Sequence, residues 1–326
     1  MMMLVLIIFV AMVIQIIFFA SITAFATIKD ESIYILAVLD KNDEYIPHEP
    51  ILILTDNNFT EANGVTGGSG TENDPFVIEN WNVSYICLIL TTKFFIINHC
   101  YIHDEGVFFV SVSNGTIKDC SFLYAGIHLA LESNKNYIED CTIFSNDDIG
   151  IYLGESNNNY IEDCFISAPN NGEFGIALAD SNYNTFYRCN IEKYYCAISL
   201  VGKEGSNNNI IHCCNISRCT GEGGIYIEFS SNNKIYHNNF VGNYHTIYKS
   251  FKIRCNAEEL GGGNQWDDGV KGNYWGNYIG VKLPRLYDWN KDGIGDIPYK
   301  IFAGPFPFGI PSGKDRYPLI KPYREN

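Results

Sequence analysis

The sequence predicts an all-β protein, a single-stranded parallel β-helix: a solenoid of about seven to nine coils with a cap at each end. Two motif series that run in phase carry this expectation, and the composition agrees with it. In the first series, Ser133–Cys141, Ser156–Cys164, Ser181–Cys189, Ser206–Cys214 and Ser230–Asn238 align without gaps at steps of 23, 25, 25 and 24 residues. Cys100 and Cys120 extend it backwards at steps of 20 and 21. The second series is Gly106–Phe109, Gly126–Leu129, Gly150–Leu153, Gly175–Leu178, Ala197–Leu200 and Gly224–Ile227. Short apolar runs alternate inward and outward between Ser, Asn and Gly, which marks strands and turns. A coil of about 24 residues has room for three such strands. It cannot bury its own apolar face, so neighbours must stack in register at about 4.8 Å. The dense leucine pattern of a leucine-rich repeat is absent.

From the N-terminus, residues 1–26 carry no charged side chain, and Lys29 is the first one met. The stretch is long and apolar enough to enter a membrane. Two readings stay open. Ala24, Phe25 and Ala26 fit the cleavage site of a secretory signal, whereas the long run from Leu4 to Ala20, with no Lys or Arg before it, fits a retained anchor. Either one places the remainder outside the cell or on its surface, touching membrane only through this segment. Sequons at Asn58, Asn82, Asn114 and Asn215 agree with export. Residues 27–84 are expected to form an N-terminal cap, 85–260 the coils and 261–326 a C-terminal cap. The second cap is rich in aromatics: Trp266, Tyr274, Trp275, Tyr278 and Trp289. With 37 acidic and 22 basic side chains the net charge is −15, which excludes nucleic acid as a partner.

Stacking turns equivalent positions into axial columns. Cys100, Cys120, Cys141, Cys164, Cys189 and Cys214, followed by Asn238, are expected to be a buried thiol ladder of small apolar filler. In-register side chains point the same way, which suits a disulfide poorly; disulfides, in an exported chain, and a soft-metal site such as Cu(I) are the alternatives. The Ser column (Ser133 to Ser230) and the Asn column (Asn136 to Asn233) fall at turns, where their side chains bond backbone groups. Carboxylates stack as Glu139 with Glu162, as Asp119, Asp140 and Asp163, and as Glu132, Glu155 and Asp180, either solvated or bridged by a cation. The outward column of the second series is Cys87, Phe108, His128, Tyr152, Ala177, Ser199 and Tyr226, with Tyr248 as its continuation. Rings arrayed on a flat, rigid sheet suit a sugar face or a protein partner. Phe108, His128, Tyr152, Tyr226 and Tyr248 are therefore the candidate ligand-binding residues.

These patterns resemble the parallel β-helix repeats of the NosD-like and carbohydrate-binding/sugar-hydrolase group. Gly67–Trp81 looks like the opening block of its archaeal members, while Gly272–Tyr278, Asp292–Tyr299 and Asp315–Leu319 look like their closing block. The resemblance covers roughly residues 47 to 323 and implies a right-handed helix. It implies a copper-site maturation accessory by name only. The seven His residues form no compact ligand motif, so copper is not the cofactor expected.

Calcium is. Asp288, Asn290, Asp292, Ile294 (through its carbonyl) and Asp296 match the oxygen spacing of a Ca²⁺ loop, with Gly293 at the turn. Tyr299 stands where the bidentate acid should be, and no helical pattern flanks the loop, which argues for a structural Asp-rich loop over an EF-hand. For catalysis, Asn146, Asp147 and Asp148 faintly resemble the Asp pair of polygalacturonases, whose other elements are missing; Asp147 and Asp148 are weak candidates. The leading expectation is an exported, non-catalytic β-helix that presents a long face to a cell-surface glycan or protein. A carbohydrate-active enzyme and a NosD-like copper accessory are the alternatives.

Overall fold

The computed structural model describes residues 45–145, 149–248, 251–278, 282–283, 287–304 and 309–325. Residues 1–26, Asp147 and Asp148 lie outside them. Each coil contributes three short strands, and these stack into three parallel faces. The first face holds the Gly-Ile-x-Leu strands, paired in register from Ile86 through Val107, Ile127, Ile151, Ile176 and Ile198 to Ile225. The second runs from Ile78 through Ile97, Ile117, Ile138, Ile161, Phe186 and Ile211 to Ile235. The third runs from Val83 to Phe240 and Trp275. All of these side chains point inward and are buried. Each contributes about 1.5–3 kcal/mol by leaving water. The architecture is the parallel β-helix that the periodicity predicts.

The ladders reach beyond residues 85–260. Phe76–Glu79 already pairs in parallel with Phe95–Asn98, Ile51–Ile53 pairs with Ile86–Leu88, and Glu258 pairs with Phe302. The coils thus begin inside the segment expected to be the N-terminal cap. One residue in the left-handed region turns the chain from the second face to the third. Asn80, His99, Asp119, Asp140, Asp163, Arg188, Cys213 and His237 occupy that position, with φ between 48° and 65°. A side chain pays a strain penalty there, which Asn and Asp tolerate best.

Immediately after this corner sits the thiol column, Cys100 to Cys214, buried and free of disulfides. Its thiols donate to carbonyls two residues back, as Cys120 Sγ does to Lys118 O at 3.1 Å. Beyond Cys214 the column becomes amide. The Cys214 N–H donates to Asn238 Oδ1 (2.9 Å), Asn238 N and Nδ2 donate to Asn273 Oδ1 (both 3.0 Å), and Asn273 N donates to Asp315 Oδ2 (2.7 Å).

The turn asparagines form a second axial ladder. Asn136, Asn159, Asn184, Asn209 and Asn233 each donate backbone N–H and Nδ2–H to Oδ1 of the next, and Asn233 does so to Asn264. A serine ladder runs beside it, in which Ser133, Ser156, Ser181 and Ser206 donate N–H to the hydroxyl of the next coil's serine. These side chains satisfy buried backbone groups at corners where no strand partner exists.

Both amide ladders end on a buried carboxylate that a tryptophan also grips. Asn264 Nδ2 donates to Glu259 Oε1 (2.8 Å) and Trp266 Nε1 to Glu259 Oε2 (2.9 Å). At the other ladder, Trp275 Nε1 donates to Asp315 Oδ2 (2.8 Å) and Tyr317 N to Asp315 Oδ1 (2.9 Å). Gly272 makes room for this plug, since a Cβ there would stand 1.8 Å from Asp315 Oδ1. Trp266, Trp275 and Tyr278 are buried as expected of the cap, but Trp289 is 69% exposed and belongs to its surface. Among the described residues, no helix is long and apolar enough to cross a membrane.

Candidate functional site

The outward column of the first face is in register from Cys87 through Phe108, His128, Tyr152, Ala177 and Ser199 to Tyr226. Pairing at every coil brings its rings together. Phe108 and His128 stack at 5.0 Å and 13°, and His128 and Tyr152 tilt at 6.2 Å and 45°. All three are half-buried, while Ala177 and Ser199 beyond them are buried. Tyr226 closes the column's far side, its hydroxyl donating to Glu228 Oε2 at 3.1 Å. Burial, followed by neighbouring carboxylates, holds the phenols of Tyr152 and Tyr226 above their ordinary pKa.

Tyr248 does not continue this column. A hairpin, Tyr244–Tyr248 against Phe251–Arg254, interrupts the repeat there, and Tyr248 pairs within it, with Phe251. The position after Tyr226 belongs to Glu258. Glu258 is only 5% exposed, and burial, followed by the charge of Glu222, pushes its carboxyl up to about 7. His245 of the hairpin brings Nδ1 to 3.3 Å from Glu258 Oε2, and Cys255 lies beside them. Burial lowers the His245 imidazole and pushes the Cys255 thiol up to about 12. Sequence periodicity misses this trio because an inserted hairpin, rather than the repeat, delivers His245.

The Asp288 loop is curled by its own side chains. Asp288 accepts N–H bonds from Asp292 (3.1 Å) and Gly293 (3.2 Å), Asp292 Oδ1 accepts from Ile294 (2.8 Å), and Asp296 Oδ2 accepts from Trp289 (2.6 Å). Asn290 Nδ2 donates to Asp292 Oδ2 at 2.8 Å. Asp288 is buried and the remaining acids are exposed. Along the corner, Asp119, Asp140 and Asp163 stack as predicted, and Arg188 on the next coil forms a bidentate pair with Asp163. A groove of about 440 Å³ opens beside Asp119 and Asp140, with His99 and Tyr45 in its wall.

A family model described as "Periplasmic copper-binding protein (NosD)" matches residues 54–280, well over half of the chain. The chain belongs to the NosD family. Its right-handed parallel β-helix is thus that of a NosD protein. Among solved structures it is similar to the A-module of mannuronan C-5 epimerase AlgE6 of Azotobacter vinelandii, at 13% identity over 67% of this chain and 73% of that one, with a TM-score of 0.42. Pectate lyase Pel9A is similar at 12% identity over 72% of each chain, with a TM-score of 0.32. ORF18 of Geobacillus virus E2 follows at 10% identity over 76% of this chain and 64% of that one, with a TM-score of 0.27. Likenesses this remote carry no argument about chemistry. No curated protein matches the chain.

Proposed function

We propose that this NosD-family chain is an exported, non-catalytic β-helix whose first face binds a cell-surface glycan or a protein partner. The in-register array of Phe108, His128 and Tyr152 on a flat sheet, with Ala177 and Ser199 as a small-residue floor before Tyr226, carries this reading. Export is supported by the periplasmic description of the family and by the uncharged residues 1–26. Because Phe108 and His128 stack on each other, a ligand would meet ring edges and the Tyr152 and Tyr226 hydroxyls. The double variant His128→Ala/Tyr152→Ala is expected to weaken glycan or partner binding at least about tenfold, the equivalent of about 1.4 kcal/mol. Its melting temperature should stay near that of the parent, since both side chains point outward. Unchanged affinity, or sugar products released from a bound glycan, would refute the reading.

A second reading, copper handling, is supported by the family description together with one observation. His245, Cys255 and Glu258 gather one nitrogen, one sulfur and one oxygen donor within 4.8 Å of one another. When bound there, copper would supply soft-metal coordination or one-electron chemistry, and these three side chains would hold it.

For the Asp288 loop we propose structural Ca²⁺ binding through Asp288, Asn290, Asp292, Asp296 and the Ile294 carbonyl. Saturating Ca²⁺ at a hundredfold over its Kd should add about 2.7 kcal/mol of stability. Asp288→Ala with Asp292→Ala should abolish that gain in a thermal melt. Equal melting with Ca²⁺ and with a chelator would rule the proposal out.

A further inference from the structure

We propose that His245, Cys255 and Glu258 form a binding site for one borderline-to-soft transition-metal ion, copper or zinc. The site needs no glycan or partner on the first face. Only the choice of copper over zinc rests on the copper-handling reading above.

Geometry is the first support. His245 Nδ1 and Glu258 Oε2 lie 3.3 Å apart and are both buried, yet neither has a hydrogen-bond partner. A buried polar atom left unpaired costs about 1–3 kcal/mol, so such atoms are rare in folded chains. Among the described residues four side-chain atoms are in this position, and two of them face each other here. A separation of 3.3 Å with poor hydrogen-bond alignment is what two ligands of one ion show. In a tetrahedral site with bonds of about 2.0–2.1 Å, neighbouring donors stand about 3.3 Å apart. The Cys255 thiol completes a set whose donor atoms all lie within 4.8 Å of one another.

Donor chemistry is the second. One imidazole, one thiol and one carboxylate do not make a Ca²⁺ or Mg²⁺ cage, which takes oxygen ligands. Sulfur with imidazole selects copper and zinc. The buried charge is also unbalanced. Glu222, whose backbone bridges to His245, adds its negative charge next to Glu258, and no Lys or Arg salt bridge answers Glu258 among the described residues. A simple His245–Glu258 pair accounts for the first two residues; the Cys255 thiol, which also donates to Ala257 O at 3.6 Å, adds a sulfur donor within 4.8 Å of both.

The placement is the third. Glu258 belongs to the rung that continues the first face, whereas His245 comes from the hairpin inserted just before it and Cys255 from the short link between the two. The stacked coils therefore fix Glu258, and the insertion presents the other two donors. A bound ion would tie the hairpin to the stack, as metal binding generally couples to local order.

The test is a metal titration of the full chain with Cu(I), Cu(II) and Zn(II), read by competition against a chelator. One equivalent per chain is expected, weakened at least tenfold in His245→Ala, in Cys255→Ser and in Glu258→Gln. Cobalt(II) loaded in place of the native ion should show a thiolate-to-metal charge-transfer band that Cys255→Ser alone removes, although the buried thiol column stays intact. Far-ultraviolet circular dichroism of each variant verifies that the β-helix has folded. Stoichiometric zinc without copper would uphold the site and sink the copper reading. Failure of all three ions to bind, or undiminished binding in the folded Cys255→Ser variant, overturns the site itself.

Discussion

Replacing Asp315 with alanine is expected to lower the stability of the protein by about 3–6 kcal/mol, read by urea unfolding. The fully buried carboxylate accepts three N–H bonds, from Asn273, Trp275 and Tyr317, at 2.7, 2.8 and 2.9 Å. Each donor left unpaired in the interior costs about 1–3 kcal/mol, and the lost carboxylate leaves a void beside Gly272. Asp315→Asn should cost less, because its amide oxygen still accepts while its NH₂ opposes a donor. Burial pushes the Asp315 carboxyl up from 3.8 to about 7 despite those three bonds. The folded chain then holds that proton more tightly than the unfolded chain between these two values. Stability from this group is accordingly greatest at low pH and falls as pH rises through the window. The alanine variant should lose that part of the pH slope. A loss below 1 kcal/mol would show that the cap does not depend on its carboxylate.

The second large effect is expected in the middle of the turn ladder. Asn184 is fully buried, and its Oδ1 accepts from Asn159 N and Nδ2 at 2.8 and 3.1 Å. Its Nδ2 donates to Ser156 O at 3.0 Å and to Asn209 Oδ1 at 3.2 Å. Asn184→Ala therefore strips partners from the coils on both sides of it and should cost about 3–5 kcal/mol in the same unfolding measurement. Cys164→Ala, one coil earlier in the thiol column, removes a small apolar filler and should cost only about 1–2 kcal/mol. Equal costs for the two would mean that the amides act as filler too.

The coils were legible because burial repeats. Every 20 to 25 residues the same inward Ile, Cys and Asn must recur to meet the coil below, so Ser133–Cys141 and its successors align without gaps. The columns read from that alignment, Phe108 to Tyr226 and Asp119 to Asp163, are the columns observed. What the sequence concealed lies where periodicity stops. Tyr248 looks like the next ring after Tyr226, but the inserted hairpin shifts the register and hands that position to Glu258. His245 and Cys255 come together through the same insertion, and no spacing rule for metal ligands anticipates a strand laid across a coil. The turn asparagines were readable as corner residues. That they donate to each other along the axis was not, because that depends on side-chain direction.

That direction has a wider consequence. In each amide ladder the donors of one coil face the acceptor of the next, so the two ends of the stack are chemically opposite. A stack that simply stopped would expose hungry N–H groups at one terminus and spare oxygens at the other, a self-complementary pair that adds copies head to tail into open filaments. Glu259 with Trp266 and Asp315 with Trp275 act as terminators of that growth. By accepting the last N–H groups of each ladder, they leave that end without the open donors a further copy would need.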